Sequence, residues 1–294
     1  MTNQTYNGIL CVDKPAGFTS FDVVAKLRGI LHTRKIGHSG TLDPMATGVL
    51  PVFVGNATRA IDLMENHDKA YLAQIRLGLV TDTLDITGQI LERRDASTVT
   101  EEGFVEALSA FRGEILQVPP MYSALKVGGK KLYELARNGV EVERRPRPVC
   151  FYDLHVTRRV ETAVYEVYAA CSKGAYIRSL ADDLGEKLGC GGVLEALRRV
   201  EACGFSLENC LTLPQIQQLA DEGRLSLLPV DRLFASWAEV TLTKEQERRF
   251  CNGAPLWSCR PEAENCRVYG EDGLFLGLGT YDGEALRSRK LFLS

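Results

Sequence analysis

Apolar residues recur at helical spacing in Val23, Val24, Leu27, Ile30 and Leu31, and Thr19 with Asp22 supplies a capping-box start just before them. Tyr71, Ala73, Ile75, Leu77 and Leu79 alternate with more polar neighbours, the period of a half-buried strand. A second strand is predicted over 164–170. Gly174 follows it, and then a helix with Ile177, Leu180, Ala181, Leu184 and Leu188 on one side. Further helices are predicted over 101–112 and 131–138, the latter closed by Gly139. Strands interspersed with helices, without a regular βαβ repeat, predict an α+β fold around a largely antiparallel sheet.

The pattern changes after Leu228-Pro229-Val230-Asp231. Thr243 and Gln246 open a short capped helix that ends at Gly253. Beyond it, brief apolar runs alternate with Gly270, Gly273, Gly277, Gly279 and Gly283, the rhythm of a small β barrel or sandwich. A chain of 294 residues also exceeds one comfortable core. Two domains are expected, 1–230 and 236–294.

The segment GHSGTLDPMATG at 37–48 fits neither helix nor strand. It places a single carboxylate, Asp43, among glycines, hydroxyl residues and His38, and Pro44 biases Asp43 away from the α region. A calcium loop would need several carboxylates at alternate positions, and a P-loop would need a Gly-Lys-Ser/Thr ending; this loop has neither. Two readings remain from the residues alone. Asp43 is either ordinary Asp-Pro turn chemistry, or a lone nucleophile or general base in a loop shaped to admit a bulky ligand.

Nine cysteines without a C-x-x-C pair argue against a disulfide framework and a zinc site, and for reduced thiols in a cytoplasmic protein. The start MTNQTYNGIL lacks the basic and long apolar run of a signal peptide, and no membrane-spanning apolar stretch occurs. The net charge of −3 speaks against a polyanionic partner, but the distribution does not. Lys26, Arg28, Arg34 and Lys35 stand in a stretch without acids. Between 126 and 147, Lys126, Lys130, Lys131, Arg137, Arg144, Arg145 and Arg147 outnumber Glu134, Glu141 and Glu143. Local patches set the field that a polyanion meets. On the residues alone, solvated helix faces are the better reading of the same charges.

The loop around Asp43 resembles the catalytic motif of the TruB family of tRNA pseudouridine synthases. So do VDKPAGFTSFDVV at 12–24, KAYLA at 69–73, GLVTDTLDITG at 78–88, QVPPMYSALKVGGKKLYELAR at 117–137, SKGAYIRSLADDLG at 172–185 and LRR at 197–199, all in the family's order. The resemblance implies the pseudouridine synthase fold, a C-terminal PUA-like RNA-binding domain, and isomerisation of uridine 55 in the T-loop of tRNA. It implies no cofactor, no metal, no membrane and no obligatory protein partner, with a monomer acting on the T-arm stem-loop.

Residue by residue, the resemblance makes Asp43 the essential carboxylate and Arg178 the cation that pairs with it, keeping it ionised against desolvation. Tyr71 would stack on the target base and handle the C5 proton. Leu197 would contact the base from beneath, and His38 the rearranged T-loop. Lys14, Lys69 and Tyr176 occupy motif positions near the cleft. The chain departs from the pattern at Val200 and Glu201, where a threonine and a basic residue usually follow the LRR turn, and at Ala175, where threonine is frequent. Two rival readings stay open: an RNA-binding or folding module with a lapsed site, and a guide-RNA-dependent relative, which usually carries lysine-rich extensions absent here.

Overall fold

The computed structural model describes residues 6–123 and 125–293, without the side chains of Lys126, Val127, Lys131 and Arg137. The first residues of the leader reading and three of the basic side chains counted above therefore lie outside the described residues.

One ten-stranded sheet forms the larger part of the chain. Across it run Cys210–Leu211, Gly8–Lys14, Thr47–Val54, Gly192–Ala202, Lys69–Leu77, Val164–Cys171, Arg147–Glu161 and Gly113–Gln117, with Ile36–His38 and Phe205–Ser206 attached at the side. Among these, Cys210–Leu211 against Gly8–Lys14 and Gly192–Ala202 against Thr47–Val54 are parallel. The other pairings are antiparallel, so the sheet is mixed, and largely antiparallel as predicted.

Lys69–Leu77 shows why the alternation was readable. Tyr71, Ala73, Ile75 and Leu77 face a core that also holds Phe104, Tyr165, Ile177, Leu180, Leu184 and Leu197. On the same strand Gln74 and Arg76 meet Glu166 and Glu195 outside that core. Gly78, at φ 89°, ends the strand. Leu79 therefore belongs to a separate hairpin, Leu79–Thr81 with Ile90–Arg93, and not to the predicted strand.

The helix Ser20–Ile30 begins at the expected Thr19–Asp22 capping box. The helix predicted over 101–112 stops at Ser109, because its last turn tightens to i→i+3 bonds at Phe111 and Arg112. The one predicted over 131–138 shrinks to Leu132–Arg137, preceded by a two-stranded hairpin at 126–131. The helix Ile177–Lys187 packs on Gly192–Ala202 at a pair of glycines, where a Cβ at Gly185 would lie 2.0 Å from the backbone nitrogen of Gly192. Glycine to alanine inside a helix ordinarily stabilises by about 0.5–1 kcal/mol. Here backbone opposes the added methyl, so overpacking wins. Gly185→Ala should cost about 1–3 kcal/mol or more, read as a lowered denaturant midpoint; an unchanged or raised midpoint would show that the two elements can part freely.

Past residue 237 a second, four-stranded sheet forms from Ala238–Leu242, Asn265–Gly270, Phe275–Tyr281 and Leu286–Leu291. It is one mixed sheet, its first pair parallel, rather than the barrel or sandwich suggested by the glycine rhythm. The helix Lys244–Cys251 starts at the expected Thr243–Gln246 capping box. Leu278 and Phe292 join Phe234, Trp237 and Phe53 in one buried cluster, so the small sheet packs on the large one.

Candidate active site

The loop 39–47 leaves the short strand Ile36–His38 and returns as Thr47–Val54. Leu42 and Ala46 are buried in the main core with Met45 against it, and polar ties hold the rest of the loop. The backbone N–H of Leu42 donates to the buried hydroxyl of Ser20 at 2.9 Å. Pro44 O accepts from Gly17 N at 2.8 Å and from Lys14 Nζ at 3.3 Å. Asp43 O accepts from Ala46 N at 3.1 Å, closing the turn that the Asp-Pro pair begins.

Asp43 keeps 35 % of its side-chain surface open although protein encloses it on most sides. Arg178, only 5 % exposed, grips it with a fork: Nε to Oδ2 at 2.9 Å and Nη2 to Oδ1 at 3.2 Å. The rest of that guanidinium is also employed. Nη1 donates to Thr83 O at 3.1 Å and Nη2 to Tyr122 O at 2.8 Å, and Asp85 lies 3.8 Å from Nη1. An arginine at the start of a helix usually faces water; this one is the most constrained group of the site.

Two segments aim it. Gln117, buried, accepts from Tyr176 N at 2.8 Å and donates to Tyr176 O at 3.0 Å, which caps a helix start that has no side-chain cap of its own. Ser179 Oγ donates to Val118 O at 2.9 Å. On the other side, Asp85 is tied by Thr83 at 2.9 Å and by the Thr87 hydroxyl at 2.6 Å, next to Leu84 at φ 63°.

Burial pushes the Asp43 carboxyl upward from 3.8, and Asp85 adds to it, against the pull of Arg178 and Lys14. The arginine does not cancel desolvation, as its pairing with Asp43 implied it would. The balance falls the other way, because the loop is enclosed by backbone and a second carboxylate stands nearby. Tyr71 is 6 % exposed on the central strand, and burial pushes its phenol up to about 12, while Arg199 pulls it down. Tyr176 is likewise raised by burial, with Ser123 and Arg178 opposing. Leu197 is 8 % exposed and shares the core with Tyr71.

His38 ends its strand half-buried, its Nδ1 without a partner, and burial with Arg199 nearby lowers its pKa. Lys69 turns back to His67 O at 2.5 Å, and burial lowers its pKa. Lys14 departs from the expected substrate contact. It is wholly buried, its Nζ donates to Pro15 O at 3.0 Å, Phe18 O at 2.5 Å and Pro44 O at 3.3 Å, and burial brings it down to about 8. It braces the turn of Asp43 through Pro44 O. Arg198 and Arg199 are also placed unexpectedly, on a strand and not in a turn: Arg198 pairs with Asp13 at 2.9 Å, and Arg199 is buried.

Sequence reasoning thus finds Asp43 and Arg178 but not Asp85, Gln117 or Arg199. Asp85 sits inside a quoted motif, and its signal is the run of hydroxyl and carboxylate residues in TDTLDITG. Arg199 shares strand parity with Leu197, an inward position where a charge is out of place. Gln117 opens another of the motifs, but nothing in its spacing marks its use. Of the expected basic surface, Lys26, Arg34, Lys35, Lys130, Arg145 and Arg147 are exposed, while Arg144 bonds Pro119 O at 3.1 Å. Among the described residues no three His, Cys, Asp or Glu side chains converge as a metal site would need.

Comparison with known proteins gives matches over most of the chain. Residues 28–177 match the model described as TruB family pseudouridylate synthase, N-terminal domain. Residues 178–235 match the tRNA pseudouridylate synthase B C-terminal domain, and 238–292 the pseudouridine synthase II TruB C-terminal model. The chain is 40% identical over 292 residues to the tRNA pseudouridine synthase B of Clostridium tetani, covering 98% of this chain and 100% of that one. It is 44% identical over 289 residues to that of Aromatoleum aromaticum, covering 98% and 93%. Among solved structures, a Cbf5-Nop10-Gar1 complex is similar at TM-score 0.71 and 25% identity, over 97% of this chain and 85% of that one. An H/ACA RNP bound to a substrate RNA containing 2'-deoxyuridine is similar in fold at TM-score 0.70 and 23% identity, over 98% and 85%.

Proposed function

This chain belongs to the TruB family of pseudouridine synthases, and from that premise we propose that it isomerises uridine 55 in the T-loop of tRNA to pseudouridine, with Asp43 as the reacting carboxylate. The observation that carries the reading is the two-pronged pair of a buried Arg178 with a partly open Asp43. The reaction breaks the N1–C1′ bond, turns the base and rejoins it through C5. Bond breaking develops positive charge on the ribose, which a nearby carboxylate stabilises, traps, or relieves by taking the 2′ proton. Arg178 fixes the orientation of that carboxylate. Tyr71 lies against the base and serves the C5 proton, and Leu197 supports the base from below. His38, Lys69 and Tyr176 line the approach, where the uridine must be extruded from its stack at a cost of a few kcal/mol.

The chain divides into a catalytic domain, 1–230, and a PUA-like RNA-binding domain, 236–294. A separate sheet and a separate family match beginning at 238 support that division. The protein works alone, as a cytoplasmic monomer on the T-arm. Among the described residues no helix is long and apolar enough to cross a membrane.

The test is a purified-protein assay on a T-arm stem-loop transcript, with carbodiimide labelling of pseudouridine. Stoichiometric conversion at the T-loop uridine without any guide RNA is expected; binding without conversion would leave an RNA-binding module instead. The pH profile sharpens the test. The reactive form is the carboxylate, and its pKa is raised above 3.8. Then kcat/KM should climb with pH through a midpoint above 3.8 and level off beyond it. A midpoint at or below that value would mean another group governs the acid limb.

A further inference from the structure

We infer that Arg199 is a positioning residue of the isomerisation: one buried guanidinium that fixes the loop of Asp43 against the strand of Tyr71. The inference rests on the roles of Asp43 and Tyr71 proposed above. Among the described residues Arg199 is the largest wholly buried side chain, at 0 % exposure. A charge taken out of water at that depth requires strong compensation. Its partners are one carbonyl of the loop and one of the strand that follows it: Nη2 donates to Gly40 O at 2.9 Å and Nε to Val49 O at 2.7 Å. Those two carbonyls stand on either side of Asp43, so a single planar fork holds both rims of the loop at a set separation.

The backbone of Arg199 is bound to the same parts. It opposes Tyr71 on one side and Gly48 on the other. A Cβ at Gly48 would fall 2.1 Å from the Arg199 carbonyl, so the returning limb of the loop lies directly on this strand. Residues opposed across an antiparallel pair project from the same face about 4.5–5.5 Å apart, so the arginine stem runs beside the Tyr71 ring. Nη1 remains, buried and without a hydrogen-bond partner, and a Cβ at Gly40 would come within 3.2 Å of it. The charge is felt by the phenol, which it draws downward against burial. Arg199 is thus the one described side chain tied to both ends of the Asp43 loop and placed against Tyr71.

Because it is sealed from solvent, Arg199 touches no RNA, and its loss acts on the chemical step, not on binding. A misplacement of about 1 Å at a reacting group can cost on the order of 10²-fold in rate. Lysine keeps the charge but has no fork with which to span two carbonyls.

The test uses the full chain carrying Arg199→Lys or Arg199→Gln, in single-turnover assays on the T-arm stem-loop beside wild type and Asp43→Asn. We expect the isomerisation rate to fall about 10–100-fold while Kd for the stem-loop stays within about threefold, with Lys milder than Gln. In a double-mutant cycle with Tyr71→Phe, the losses should be less than additive, a coupling that a purely structural residue would not produce. Wild-type rates in a folded Arg199→Lys, equal losses in rate and affinity, strict additivity with Tyr71→Phe, or failure of both variants to fold would overturn the inference, the last by assigning Arg199 to stability alone. Turnover by Asp43→Asn would instead strike the reading of the site beneath it.

Discussion

Asp43→Asn is expected to abolish pseudouridine formation, with a loss on the order of 10⁴-fold or more, while the T-arm stem-loop binds as before. The amide has nearly the shape of the carboxylate, so the turn closed by Asp43 O and Ala46 N and the anchors at Leu42 and Pro44 stay intact. What disappears is the negative oxygen. It can no longer stabilise or trap charge at C1′ or accept the 2′ proton, and these are transition-state duties rather than ground-state ones. Rate and affinity should therefore separate cleanly, measured by single turnover and by equilibrium binding. Conversion by the variant within about tenfold of wild type would falsify the assignment of Asp43. Parallel loss of binding would move the residue from chemistry to recognition.

Local signals were the most legible part of the fold. The capping boxes at Thr19–Asp22 and Thr243–Gln246 depend on residues three apart, and both form as read. The alternation of Tyr71 to Leu77 was equally plain, because one face of that strand is core and the other is polar. Gly192–Ala202 was not legible: GVLEALRRVEA has the composition of a helix, and its place between two partner strands overrides propensity. At the site, motif residues that meet each other directly, Asp43 and Arg178, could be found. The uses of residues that act through the backbone could not. Gln117 bonds the backbone of Tyr176, and Lys14 bonds Pro44 O besides the nearby Pro15 O and Phe18 O, uses that no spacing encodes. Asp85 and Arg199 look like surface charges until the fold closes over them.

The surface tells the same story about charge. A chain of net charge −3 presents Lys26, Arg34 and Lys35 on one exposed stretch and Lys130, Arg145 and Arg147 on another, while several acids are engaged in ion pairs such as Glu166 with Arg158 and Glu195 with Arg76. The sum over all residues is therefore a poor guide to what a phosphate backbone would meet.

Arg178→Lys should lower the isomerisation rate by about 10²–10³-fold and leave stem-loop affinity within about threefold, because the substitution preserves charge while removing geometry. The guanidinium makes two bonds to Asp43 and one each to Thr83 O and Tyr122 O, all from a side chain 5 % exposed. An ammonium on a shorter, single-point end cannot reach all of these directions, so the carboxylate gains freedom to rotate away from the ribose. Removing the charge altogether, as in Arg178→Met, adds a second cost. It leaves Asp43 and Asp85 facing each other with no cation between them, and breaking a buried pair in this way typically costs about 3–5 kcal/mol. The exposure of Asp43, 35 % of its side chain, reduces that figure through solvent screening, so we expect the lower end, seen as a drop in denaturant midpoint for Met that Lys largely escapes. The carboxyl of Asp43 should also rise further when its main opposing cation is gone, moving the acid limb of kcat/KM to higher pH in Met but little in Lys. A Lys variant that turns over at the wild-type rate, or a Met variant with an unshifted acid limb, would show that the fork neither aims Asp43 nor governs its charge.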